Sequence, residues 1–200
     1  MVVNANARPR ARWVPGPAGW MLVCLLLPTL LYMWAVREPP QRWRAAYFGN
    51  ERLEGLALVR EERDVAHDWK RQGPPHGIPA DRFSARWDSC LTLERAQTAA
   101  LQLTSDDGSR LFVDGLLVID NWGLRRLPRT RGTDVLLEAG LHHLRVEYSQ
   151  LTGSASVTLA ASLDGKRPRR IAPEHLRFPG GDPQRPCGEI RQSQVDADPR

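Results

Sequence analysis

The chain has 200 residues, 42% of them hydrophobic, enough for one domain with a real core plus appendages and not comfortably two. Twenty-eight basic against 23 acidic side chains give a formal charge of +5, but the arginines fall in separate clusters with no recognised binding motif around them, which argues against a nucleic-acid partner. No G-x-S-x-G elbow, H-E-x-x-H helix or phosphate loop occurs, so the hydrolase, zincin and nucleotide-binding classes those motifs mark are excluded.

Residues 1–13 form a basic tail carrying Arg8, Arg10 and Arg12. From Val14 to Val36 there is no charged residue, and Gly19 to Val36 reads GWMLVCLLLPTLLYMWAV, close to the roughly 20 apolar residues that cross a bilayer. A membrane helix and a signal peptide both fit such a run. The segment ends in Tyr32-Met33-Trp34-Ala35-Val36 without a small-residue cleavage site, so it is read as an uncleaved signal anchor over 14–36. Trp20 and Trp34 fall near its ends, where indole rings favour headgroups, and the preceding arginines place the N-terminus in the cytoplasm. Pro28 is tolerated in such a helix, and Cys24 reads as a small apolar residue. Everything beyond the linker 37–42 is then expected in the periplasm or outside the cell.

Beyond the linker the chain reads as all-β. Short alternating or apolar runs recur at Gly55–Val59, Leu91–Leu93, Ala99–Leu103, Arg110–Val113, Leu116–Ile119, Val135–Leu137, His142–Tyr148 and Ala155–Leu163, separated by Gly, Pro, Asp and Ser. That spacing predicts an antiparallel sandwich or barrel over 43–178. Residues 72–79 are too rich in Pro and Gly for regular structure. The tail 179–200 lacks apolar periodicity and is expected to be extended or disordered. Cys90 and Cys187 are the two cysteines on this side of the anchor; an oxidising compartment permits a disulfide between them, and two free thiols are the alternative.

The most informative stretch is SDDGSRLFVDGLLVIDNW, Ser105 to Trp122. Asp114-Gly115 between alternating Leu111, Val113, Leu117 and Ile119 predicts strand, tight turn, strand. Asp106 and Asp107 precede the first of these strands. Adjacent carboxylates repel, so they must be solvated, held by backbone N–H groups, or shared by a hard cation.

Five motifs in order, WRAAYF at Trp43–Phe48, Ala66-His67-Asp68-Trp69, Asp81 to Trp87, the SDDG run, and Leu137 to Tyr148, resemble the protective-antigen fourteen-kilodalton (PA-14) domain family. The resemblance covers about residues 43–178. It implies a β-sandwich or barrel that serves as a non-catalytic carbohydrate-binding module. In the fungal adhesin branch two consecutive Asp residues joined by a cis peptide bind Ca²⁺, and sugar hydroxyls complete the coordination; Asp106 and Asp107 match that pair by position. The adhesins draw further ligands, an Asn among them, from a later loop. Asn121 is a candidate for that oxygen, with a turn cap as its alternative. The alternative for the Asp pair is to fasten the hairpin through backbone N–H groups.

Among aromatics, Trp69 and Trp87 read as core and Trp122 as a candidate stacking platform for sugar. Arg125, Arg126, Arg129 and Arg131 read as a basic loop, solvated or facing an acidic partner. His142 and His143 are strand neighbours whose side chains point to opposite faces and cannot grip one metal together. Asp106 and Asp107 cannot straddle a glycosidic bond as a hydrolase's two carboxylates do. The expected function is a membrane-anchored module that recognises a glycan or polysaccharide with candidate Ca²⁺ dependence, and the expectation is that it is not an enzyme. The alternative is a structural or protein-interaction module of the cell envelope.

Overall fold

The computed structural model describes residues 42–74, 77–123, 127–182 and 186–188. The expected membrane anchor lies outside them, and among the described residues no helix is long and apolar enough to cross a bilayer. What is described is all-β, with a single 3₁₀ turn at Pro173–His175.

The strands in chain order are β1 (Trp43–Phe48), β2 (Ala57–Glu62), β3 (Ala66–Lys70), β4 (Phe83–Leu93), β5 (Gln97–Asp106), β6 (Gly108–Val113), β7 (Leu116–Asn121), β8 (Arg129–Leu137), β9 (Gly140–Gln150), β10 (Ala155–Ser162) and β11 (Leu176–Arg177). One sheet runs β2-β1-β4-β9-β6-β7, with β11 also paired to β4, and the other runs β3-β10-β5-β8. Every named pairing is antiparallel, so each strand offers one face to the other sheet. The inward face of β9 reads Leu144, Val146, Tyr148, Gln150 and that of β5 reads Ala99, Leu101, Leu103, Ser105, all buried. Aromatics fill the space between: Trp43, Trp87 and Phe83 are buried, and Trp69 packs against them at the rim. The reading of Trp69 and Trp87 as core describes both positions.

Asp114 (φ 50°) and Gly115 (φ 81°) form the two-residue turn between β6 and β7, both with positive φ as a type I′ hairpin requires. Two expectations need correction. Arg129 and Arg131 belong to β8 rather than to a loop, because the strand begins at Arg129, six residues before the apolar run Val135–Leu137 suggests; Arg125 and Arg126 lie outside the described residues. Likewise β4 starts at Phe83, well before Leu91.

After β11 the chain runs across the outer face of the first sheet. The Arg44 guanidinium donates to the carbonyls of Pro179 and Gly180, each at 3.1 Å, and lies over the Phe178 ring. A disulfide joins Cys90 of β4 to Cys187, with Cα atoms 5.6 Å apart and a sequence separation of 97. Described parts of the tail are therefore strapped to the sheet. Replacing both cysteines by alanine is expected to lower stability by about 2–4 kcal/mol in urea melts, because closing so long a loop restricts the unfolded chain. An unchanged midpoint would show that Arg44 and the strand packing hold the strap unaided.

Candidate functional site

Asp106 is the last residue of β5, Asp107 is the one residue between strands, and Gly108 opens β6 in the other sheet. The acidic pair thus marks the point where the chain crosses between layers, and the peptide joining the two is cis. It is not a hairpin turn, because β5 and β6 belong to different sheets. A Cβ at Gly108 would stand 3.0 Å from the Gly123 nitrogen and 3.5 Å from the Trp122 Cα. Absence of a side chain there lets the strand end after β7 close over the pair.

Both carboxylates are buried, Asp106 6% and Asp107 3% exposed, so solvation does not account for their adjacency. Asp107 Oδ2 accepts a hydrogen bond from the Leu151 N–H at 3.0 Å. That backbone donor comes from the loop after β9, not from the hairpin itself. The Ser105 hydroxyl donates to the Asp107 carbonyl at 2.8 Å. With its one proton so used, it accepts from Ser109 Oγ at 2.7 Å and from Asn121 Nδ2 at 3.1 Å. The Tyr148 hydroxyl lies between the Asp106 carbonyl oxygen and Gln150 Oε1, the latter at 2.6 Å.

Asn121 is the last residue of β7 and fully buried. Its Nδ2 donates to the Ser105 hydroxyl and, at 3.0 Å, to the Arg129 carbonyl. The carbonyl can only accept, so this bond fixes which side of the amide is nitrogen. Its Oδ1 is then buried with no hydrogen-bond partner among the described residues. Asn121 is not the cap of the turn that follows: Asp120 takes that part, its Oδ1 accepting from the Trp122 N–H at 3.0 Å.

Burial, and then the neighbouring charge of Asp107, hold the Asp106 carboxyl above the usual carboxylate range. A carboxyl whose folded pKa is raised costs stability at neutral pH, and the cost disappears when a proton or a counter-charge arrives. Burial and the two carboxylates together push the Tyr148 hydroxyl well above its ordinary range, so it remains a donor. Asn121, whose amide nitrogen binds Ser105, carries an unpartnered oxygen at the strand end next to the Asp106–Asp107 crossing, and amide and carboxylate oxygens are donor types that a hard cation such as Ca²⁺ takes. Among the described residues no cluster of three His, Cys, Asp or Glu exists, so any such ion would depend on the asparagine and on backbone or ligand oxygens.

Trp122 is half-buried, and one face of its indole is taken by the Arg110 guanidinium, 4.3 Å from the ring centroid. A sugar cannot stack on that face while Arg110 is in place. The two histidines part company as expected. His143 Nε2 meets Asp88 Oδ1 at 2.8 Å, and His142 Nδ1 meets Asp114 Oδ2 at 2.7 Å. Ser105, Ser109, Tyr148 and Gln150 complete the site's frame; a Gln on the inward register of β9 after Leu144, Val146 and Tyr148 is the sequence signal for a buried polar contact there.

A family profile described as PA14 domain matches residues 44–175. The chain belongs to the PA14 domain family. It is 29% identical over 141 residues to the anti-sigma-I factor RsgI3 of Acetivibrio thermocellus, covering 70% of this chain and 22% of that protein. Among solved structures it is similar to an anti-sigma factor domain-containing protein, with 28% identity, TM-score 0.65, and 72% of this chain and 50% of the other covered. A PA14 sugar-binding domain from an RTX adhesin shares the fold at 18% identity, TM-score 0.52, covering 70% of this chain and 99% of that one. The chain thus spans about a fifth of the curated relative and half of the first structural one.

Proposed function

We propose that the β domain is a glycan-binding module that uses Ca²⁺ held by Asp106, Asp107 and Asn121, and that residues 14–36 anchor it outside the cytoplasm. The observation that carries the reading is the buried, unpartnered Asn121 Oδ1 on a side chain bonded to Ser105, the residue that precedes two buried aspartates. Bound Ca²⁺ takes six to eight oxygens and exchanges water for sugar hydroxyls, so a vicinal diol can join its shell. The chain's own residues prepare the place. Ser105 and Ser109 orient the Asp107 carbonyl, the Leu151 N–H fixes one Asp107 oxygen, and the Arg129 carbonyl turns the Asn121 amide so that its oxygen is left for the ion. Arg110 beside Trp122 offers guanidinium donors to hydroxyl groups at the rim. The same fold in a PA14 sugar-binding domain from an RTX adhesin supports this by analogy.

Likeness to anti-sigma factors supports a second reading, a non-catalytic interaction module of a regulatory envelope protein. A glycan array probed with the full chain, in Ca²⁺ and in chelator, separates the two. Signals present in Ca²⁺ and lost in chelator support the glycan site. An array blank in both conditions, with an envelope protein retained by the immobilised chain, supports the second reading.

A further inference from the structure

The end of the sandwich remote from Asp106, where Gln97 pairs with Leu137 and Leu93 with Gly140, carries a polar cluster that the glycan site does not use. Three segments meet there. The β6–β7 turn presents Asp114, β9 begins at Gly140, and Glu138 stands in the short link by which the chain passes from β8 in the second sheet to β9 in the first.

Leu116 and Leu117, which follow the turn, are exposed, so apolar burial does little to hold the hairpin tip. Hydrogen bonds hold it instead. The Asp114 N–H donates to the His143 carbonyl at 2.9 Å, and Asp114 Oδ1 accepts from the His143 N–H at 2.8 Å. Asp114 Oδ2 stands 2.7 Å from His142 Nδ1, and the other ring nitrogen, Nε2, stands 2.9 Å from the Glu138 carbonyl oxygen.

Both partners of the His142 ring are acceptors. An ionised carboxylate and a backbone carbonyl have no proton to give, and a neutral imidazole carries one N–H. A neutral ring would therefore turn a lone pair toward one of the two oxygens, whereas an imidazolium donates to both. The His142 side chain is only 12% exposed, so little water reaches it to replace a lost partner.

The charged groups facing the ring are Asp114 from the hairpin turn and Glu138 from the β8–β9 link, both acidic, while β4 sets the uncharged Leu91 opposite His142. His143 points to the other face and meets Asp88. Burial by itself would lower the His142 pKa; the bond to Asp114, the bond to the Glu138 carbonyl and the two negative charges outweigh it and raise the pKa above the ordinary histidine value. The stabilisation is thus complete below the unfolded value of 6.5 and lost as pH rises through the higher folded one.

We propose that His142 is a proton-operated clasp: as an imidazolium it fastens the β6–β7 tip to the corner where β8 passes into β9, and on losing its proton it releases the tip. The clasp belongs to the end of the domain opposite Asp106 and Asp107 and stands independently of the calcium reading.

The test is a titration of the ¹⁵N-labelled full chain from about pH 6 to about pH 9, the range that brackets a raised histidine. Long-range proton–nitrogen spectra, assigned with Glu-free comparison to His142→Gln, should show both His142 ring nitrogens protonated at about pH 7 and one proton lost as pH rises. Amide exchange protection at Asp114 and His143 should fall on the order of tenfold through that same titration, the loss of one charge-assisted bond, while protection at Val157 in β10 holds. In His142→Gln the Asp114 and His143 protection should be low and flat across the range. Asp114→Asn keeps a favoured type I′ pair with Gly115, and should return His142 to a single ring proton at about pH 7. A wild-type ring that carries one proton at about pH 7 or does not titrate in this range, or protection that stays constant while the ring titrates, overturns the clasp.

Discussion

Asp107→Asn is expected to abolish Ca²⁺-dependent glycan binding, with affinity falling by a hundredfold or more, about the loss of one charge-assisted hard ligand at 2–3 kcal/mol. The amide is nearly the same size as the carboxylate, so packing in the layer crossing is preserved. An Asn side chain presenting its oxygen to the Leu151 N–H retains that bond in weaker form. The apo fold therefore persists, and the change also removes the Asp107 repulsion that adds to burial in raising Asp106. Apo stability should hold or rise slightly while binding is lost. A variant that is destabilised by the same amount in Ca²⁺ and in chelator would instead give the pair a purely structural task, through backbone N–H bonds each worth about 1.5–3 kcal/mol.

The largest stability loss is expected at Glu62, in the opposite rim of the core. Its carboxylate is 8% exposed and accepts from the Tyr47 hydroxyl at 2.9 Å and Trp87 Nε1 at 2.7 Å. Arg60 lies 3.2 Å away, and His67 Nε2 is 3.0 Å from Oε2, near enough for charge attraction though badly aligned for a hydrogen bond. Glu62→Ala leaves two buried donors without an acceptor at about 1–3 kcal/mol each, so a loss of roughly 3–5 kcal/mol is expected in urea melts. Burial alone would raise the Glu62 pKa; the close approach of His67 and the hydrogen bonds from Trp87 and Tyr47 outweigh it and bring the pKa below the ordinary value. Its stabilising contribution is accordingly full above the unfolded pKa near 4.5 and lost as pH falls through the lower folded value. Asp88 shifts the same way, burial being outweighed by His143 and Arg145. Wild type should lose stability steeply in acid, and Glu62→Ala should flatten that limb. A variant with the wild-type acid slope would remove Glu62 from the account.

Several features were legible before any coordinates. Asp114-Gly115 between alternating apolar residues specified its own turn, because a type I′ hairpin is decided by two adjacent residues. Alternation likewise located β9 and β10, whose inward residues are uniformly apolar until Gln150. The early part of β4 was hidden because Ser84, Arg86 and Asp88 interrupt the apolar signal. Their partners are distant in sequence: Ser84 donates to the Asn50 carbonyl, and Asp88 meets His143 and Arg145 across β9. The Asp106–Asp107 pair was visible as an anomaly of adjacent like charges, but its place between sheets was not, since nothing local says that β5 and β6 belong to different layers. Asn121 read equally well as a cap. What distinguishes it is the Arg129 carbonyl and Ser105 hydroxyl holding its nitrogen, contacts made only once β5, β7 and β8 are brought together. Nothing in the sequence beside Glu61 marks Glu62 as buried, and its burial is likewise a tertiary effect.

The most direct test of the central claim is a pair of thermal melts of the full chain, one with chelator and one with excess Ca²⁺ at a hundred times its dissociation constant. If Asp106, Asp107 and Asn121 hold the ion, Ca²⁺ binds only the folded state and should add about 2.7 kcal/mol, raising Tm by several degrees. The same addition should leave the melt of Asp107→Asn unmoved. Identical wild-type melts with and without Ca²⁺, across millimolar concentrations, would contradict the calcium site.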